Sequence, residues 1–259
     1  MTEASEVNFS VEVSKGLVAK ILMAAVGFAG TIIFARALGA TKFGGYYLVL
    51  MIVEILKKPV DGWGAAAKKR YSELSSPKSE IVGIQTVLPV LLVAVVAVVA
   101  YPFRDVIVGF TGVAQSYPVL VLLTGALSLY STFESILEAS GQVGRQTGID
   151  TFRSIVTLAL QGLFVWYGIG ALGMAYGLAL ATLASVPLLL WSFDFTPAVP
   201  TRETIKSLAA FAKDSIPYSF VSKAWDRYDI FLIGALVSPL IVGDNKVRTK
   251  RVESTGVDA

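Results

Sequence analysis

Residues 81–100 form a run that is apolar but for Gln85 and Thr86, ends LLVAVVAVVA and contains no charged side chain. A helix of that length rises about 30 Å, the thickness of a bilayer's hydrocarbon core. Valine disfavours helices in water, but in lipid an open strand edge has no partner for its backbone groups, so helix is the remaining choice. This run fixes the class of fold: a chain that crosses a membrane.

Five other blocks fit the same description. We expect helices over 13–38, 46–60, 115–137, 154–169 and 172–193, joined at 40–45, 72–79 and 138–153 by short polar or Gly-rich connections. Gly168, Gly170 and Gly173 leave room only for a tight turn between the last two, which should pack as an antiparallel pair. Beyond Pro197 and Pro200, residues 201–213 place Ile205, Leu208, Ala209 and Ala212 at helical spacing against Arg202, Lys206 and Lys213. That pattern predicts a helix on the membrane surface. A candidate seventh span covers 216–243 and is interrupted by Lys223, Asp226, Arg227 and Asp229. The expected organisation is a cytoplasmic tail (1–12), a six-helix bundle (13–193), an amphipathic linker (194–214), the candidate seventh helix (215–243) and a polar, disordered tail (244–259).

Composition agrees. Only 16% of residues are charged against 54% hydrophobic, too few charges to cover a water-facing surface. Cysteine and histidine are both absent, which removes disulfides, the usual zinc sites, thiol nucleophiles and every His-based catalytic arrangement. No cofactor or metal site is expected. The net charge of +3 is scattered through loops without an aromatic-basic stripe, so nucleic acid is not the expected partner. No phosphate-binding loop or nucleophile elbow occurs, and Gly141, Gly144 and Gly148 follow no strand. The chain carries no mark of an enzyme.

Lys and Arg orient the bundle. Alternate turns hold Lys57, Lys58, Lys68, Lys69, Arg70 and Lys78, then Arg145 and Arg153, then Arg202, Lys206 and Lys213. The intervening turns hold Arg36 and Lys42, then Arg104, then neither residue. By the positive-inside rule the amino terminus and the basic turns face the cytoplasm.

Charges inside spans mark the candidate site, because each costs roughly 2.5–3.5 kcal/mol at a helix centre and generally faces a bundle interior or a wet cavity. Glu54, Lys57, Lys58 and Asp61 stand at i, i+3, i+4 and i+7, on one face of the second helix. They read either as the wall of a hydrophilic cavity or as a helix end reaching for the headgroups, with Glu54 paired to a lysine. Lys20 shares a stripe with Gly27 and Thr31, and Arg36 ends the same helix. Lys223, Asp226 and Arg227 share another face, with Asp229 beside them and Pro217 freeing backbone groups, as in broken helices that line transport paths. Glu134 and Glu138, one turn apart, read as a salt-bridged loop boundary near Arg145 and Arg153.

The string FARALGATKFGGYYLVL at 34–50 resembles the start of polysaccharide-biosynthesis flippases, the O-antigen translocase type of the multidrug/oligosaccharidyl-lipid/polysaccharide exporter superfamily. Phe34, Arg36, Leu38, Gly39, Gly44 and Tyr46 match the family's F-x-R-x-L-G-x-x-x-x-G-x-Y. GIGALGMAYGLALATLASVPLLL at 168–190 is similar to its fifth-to-sixth hairpin, and the segment 215–243, with Pro217, Asp229 and Gly234, to its seventh helix. The resemblance covers about residues 10–243. It implies an all-α polytopic bundle, one of the two six-helix bundles of a flippase about twice as long. It implies a substrate too: an oligosaccharide on polyprenyl or dolichyl phosphate or diphosphate, moved between leaflets, with membrane lipids around it and a second half or a homodimer as partner. Lys20, Lys57, Lys58 and Arg36 would then supply a cationic cavity for the phosphate. Two alternatives stay open: a drug/cation antiporter of the same superfamily, for which Glu54 is the one deep carboxylate, and a non-transporting fragment or accessory subunit.

Overall fold

The computed structural model describes residues 9–73, 76–192 and 197–226, with side chains from 27 to 222. Among these, the regular structure is helical, and five helices are long and apolar enough to cross a membrane. The chain is a multi-pass, all-α membrane bundle.

The first helix, α1 (Phe9–Leu56), merges what the sequence divides into two helices. Its break is a single residue. Gly39 sits at φ 76° and ψ 161°, a region open essentially to glycine alone, so the chain changes direction without a loop. Both sides of the break then meet one turn of a later helix, α6 (Val143–Trp166): Gly30 packs on Leu158, and Tyr46 bonds to Gln161. Along a straight helix Gly30 and Tyr46 would be about 24 Å apart. Counting the two sides of Gly39 separately, the five long helices give six helical legs.

The helix from Tyr46 continues past the expected end near Val60. Pro59 lacks an N–H, so the ladder is interrupted once and resumes as α2 (Lys58–Tyr71). Lys68, Lys69 and Arg70 in its last turn complement the helix dipole. The apolar run becomes α3 (Lys78–Ala100), followed by a single 3-10 turn and α4 (Arg104–Thr111). Next comes α5 (Ser116–Ala139), which contacts most of the bundle, and a turn of three residues leads into α6. The Gly-rich, charged stretch 138–153 is thus mostly helical rather than a loop.

The tight turn expected at Gly168 is present. Gly168 has φ 79°, its N–H bonds to the Val165 carbonyl, and that of Ile169 reaches back to Phe164, closing α6. The helix α7 (Ala171–Leu190) then returns along α6. A Cβ on Gly177 would lie 2.7 Å from the Gln161 backbone nitrogen, and one on Gly173 would lie 2.8 Å from Phe164 Cβ. Small residues let the two backbones approach, as is usual between helices in lipid.

After Pro200, the expected surface helix and the start of the candidate seventh are one element, α8 (Arg202–Asp226), with Pro217 inside it. It is docked on α2. Leu208 is buried among Tyr71, Ile81 and Leu137, and Ile216 lies against Gly62. Glu80 holds its start, accepting from the Thr201 N–H and hydroxyl (both 2.8 Å) and from the Thr204 hydroxyl (2.6 Å).

Two apolar clusters fill the bundle. One gathers Phe34, Tyr46, Val49, Val53, Leu120, Leu123 and Met174; the other gathers Tyr71, Ile81, Tyr130, Phe133, Ile136, Leu189 and Leu208. Helix α5 passes through both. Between them lies a polar seam.

Candidate functional site

The seam is built from α2, α3 and α5. Serines and threonines recur on α5 at 128, 131, 132 and 135, close to helical spacing, which puts Ser128, Thr132 and Ser135 on one face. Gly64 of α2 lies where that face meets α3: a Cβ there would be 3.3 Å from Ser135 Oγ and 3.8 Å from Gln85 Nε2. Gln85 is fully buried. Among the described residues, neither of its amide atoms has a hydrogen-bond partner, nor has Trp63 Nε1 or the hydroxyl of Ser128 or Thr132. Polar atoms left like this inside a membrane protein are costly, which sets this seam apart from the two apolar clusters.

At one end of the seam stands an ion triad. Lys57 Nζ reaches Asp61 Oδ1 at 2.9 Å and Oδ2 at 3.1 Å, and Lys58 Nζ reaches Oδ2 at 2.5 Å. Ser131 donates to Asp61 Oδ1 from α5 at 3.4 Å, tying the triad to the seam. The side chains are only 12%, 9% and 19% exposed. Burial alone would raise the Asp61 carboxyl, but the two lysinium groups outweigh it and hold the carboxyl below its ordinary value. Two cations share one anion in a largely desolvated place, where interactions with a further anion would be little screened.

Of the expected site residues, the structure brings Lys57, Lys58 and Asp61 together. Glu54 is partly buried one turn before Lys58, and the lysines' ion pairs are with Asp61. Arg36 is exposed and stands just before the Gly39 break, at the far end of a leg of about 27 Å from Lys57, so the structure does not bring it to the triad. Phe34, Leu38 and Tyr46 are packing residues; Tyr46 accepts from Gln161, which also donates to the Met174 carbonyl. Gly39 is the break, and Gly44 faces open space. The side chains of Lys20, Lys223 and Asp226, and the whole of Arg227, Asp229 and Gly234, lie outside the described residues.

The carboxylates of α5 make their closest contacts elsewhere than with the arginines, although Glu134 stays within electrostatic reach of Arg153. Glu138 pairs with Lys68 of α2 at 2.5 Å, and Glu134 accepts from Gln146 at 2.5 Å. Arg153 pairs instead with Asp150 and lies over the Tyr130 ring. Sequence reasoning passed over the α5 hydroxyl face and Gln85. Their signal was present: polar residues at i, i+4 and i+7 within an apolar span, and a lone amide in an apolar run. Among the described residues no group of acidic side chains could hold a metal ion.

No family model matches the chain. A curated relative, the probable low-salt glycan biosynthesis flippase Agl15 of Haloferax volcanii, is 25% identical over 233 residues. The match takes in 88% of this chain and 48% of the relative, so the chain spans about half the relative's length. A MATE protein solved in complex with MaD3S shares the fold, with a TM-score of 0.63 at 14% identity over 81% of this chain and 52% of that one. An inward-facing multidrug resistance MATE transporter of the MOP superfamily gives 0.53 at 15% identity, covering 74% and 48%. In sequence this chain resembles a glycan flippase, and in fold it resembles one half of a MATE transporter, both of the multidrug/oligosaccharidyl-lipid/polysaccharide exporter superfamily.

Proposed function

We propose that the chain is one bundle of a membrane transporter that flips a lipid-linked oligosaccharide for surface-glycan or glycoprotein assembly. The observation that carries this reading is the convergence of Lys57 and Lys58 on Asp61 at the end of the polar seam. A sugar carried on a polyprenyl or dolichyl phosphate or diphosphate needs hydroxyl and amide partners for the sugar and a cation for the phosphate. The seam offers the first and the triad the second. The lipid tail stays in the bilayer. Agl15, a probable glycan biosynthesis flippase, points to a cargo of the same kind.

Charge supports the orientation with the amino terminus inside. The basic turns are tied into one end of the bundle through Lys68–Glu138 and through the α8 start held by Glu80, while Arg104 follows α3 at the other. Transporters built of two bundles commonly rock one against the other around a central site. On this reading the bundle works with a second half.

The MATE-like fold favours a second reading, a drug/cation antiporter. Binding separates the two. The purified chain should bind a polyprenyl-diphosphate sugar, and K57Q/K58Q should weaken that binding at least tenfold, roughly 1.4 kcal/mol. Binding of a lipophilic cation in its place would favour the antiporter. Binding of neither would favour an accessory, non-transporting role.

A further inference from the structure

A groove of about 580 Å³ runs down the flank of the bundle between α3, α5 and α7. Its walls include Pro89, Val93, Pro118, Val121, Gly125 and Leu183, and its lining is almost wholly hydrocarbon. Val90 and Leu122 stand on its rim, partly exposed. The helices all lie within candidate membrane spans, so the medium outside is lipid. From Tyr117 to Leu129 the groove follows α5 for about 18 Å, more than half of a hydrocarbon core. A dry cavity of about 150 Å³ accommodates benzene, so this groove is wide and long enough for a stretch of a single hydrocarbon chain.

The groove's Tyr117 end is closed by polar groups. Tyr117 donates to the Ala97 carbonyl at 2.8 Å, bridging α5 to α3. Its ring meets Tyr101 edge to face at 5.8 Å, an aromatic pair suited to the headgroup level. Arg104 stacks over Tyr101 at 5.0 Å and donates to its hydroxyl at 3.0 Å. Its Nε stands 3.6 Å from the exposed Asp105 carboxylate. Half of the Arg104 side chain remains exposed, leaving guanidinium donors for a phosphate.

We infer that this groove holds one acyl chain of a bilayer phospholipid, with its phosphate at Arg104. The groove length, its hydrocarbon lining and a cation at the interfacial end match a phosphate-bearing lipid in dimension and in charge. The site lies on the flank of α3 and α5, whereas the triad stands at the first turn of α2. It stands whether or not the chain moves a lipid-linked sugar.

The test is native mass spectrometry of the delipidated protein after incubation with phosphatidylglycerol or with a phosphate-free galactosyl diacylglycerol. Wild type should retain one phosphatidylglycerol and prefer it to the galactolipid. V90W and L122W, both at exposed positions, should lower retention about tenfold, the equivalent of two methylenes displaced from the groove. V99W, exposed but outside the groove, should leave retention unchanged. R104Q should abolish the preference for phosphate. Undiminished retention in V90W and L122W, or an unchanged preference in R104Q, would overturn the assignment. So would displacement of phosphatidylglycerol by an equimolar polyprenyl phosphate, which would make the groove a carrier site.

Discussion

Lys58 Nζ and Asp61 Oδ2 lie 2.5 Å apart, one helical turn from each other, with the lysine side chain only 9% exposed. Lys57 shares the same carboxylate, so Asp61 keeps two buried cations in place. Removing one partner of a buried pair leaves the other charge uncompensated, which costs more than the pair contributes.

It follows that D61A should be the most destabilising single change in the triad, by about 3 kcal/mol, while K57A leaves the Lys58 pair intact and costs about 1 kcal/mol or less. Thermal unfolding of the detergent-solubilised protein reads both. Equal shifts for the two variants would contradict the shared-carboxylate geometry.

Acid should release the triad. The Asp61 carboxyl is held below its ordinary value of 3.8, since the attraction of the two lysines outweighs its burial. Its contribution to stability is therefore present above that pH and disappears as pH falls beneath it. Melting temperatures taken from about pH 6 down to about pH 3 should drop more steeply for wild type than for D61N. Parallel curves would show that the carboxylate is not the group responsible.

Gly39 adopts a conformation that side chains resist, so G39V should cost about 1–3 kcal/mol although its side chain would meet open space. G44A, also in open space but at ordinary helical geometry, is the control and should be neutral or slightly stabilising. Urea unfolding of the two variants, with an equal outcome for both, would count against the break.

At Gly177 the obstacle is packing. A Cβ there would meet the Gln161 backbone, so G177V should part α6 from α7 and loosen the Gln161–Tyr46 hydrogen bond, costing about 1–3 kcal/mol. Ultraviolet resonance of the Tyr46 hydroxyl should report the loss. A native-like signal would mean that the helices can slide apart without strain.

The helices were legible because lipid leaves the backbone few options and because apolar runs of span length stand out. Their ends were harder to read. Nothing local says that Gly39 replaces a loop or that α2 resumes beyond Pro59. The continuous α8 depends on contacts with Gly62 and Tyr71 that local spacing does not encode. In the site, the helical spacing of Lys57, Lys58 and Asp61 puts them on one face in the sequence itself. The Ser128–Ser135 face and Gln85 escaped notice because uncharged polar residues barely disturb an apolar run. Arg36 lies beyond the Gly39 break, about 27 Å along the leg from Lys57, a separation that residue spacing alone does not convey.

The central claim is that the triad and seam carry a phosphate-linked sugar across the membrane. Its most direct test is translocation of a fluorescent polyprenyl-diphosphate oligosaccharide in proteoliposomes containing the chain, alone and together with a matching second half. The account predicts translocation in the assembled transporter and at least tenfold slower translocation with K57Q/K58Q at equal protein level. Translocation by the assembled transporter that is indifferent to both lysines, or none from well-folded protein in either assembly, would contradict it.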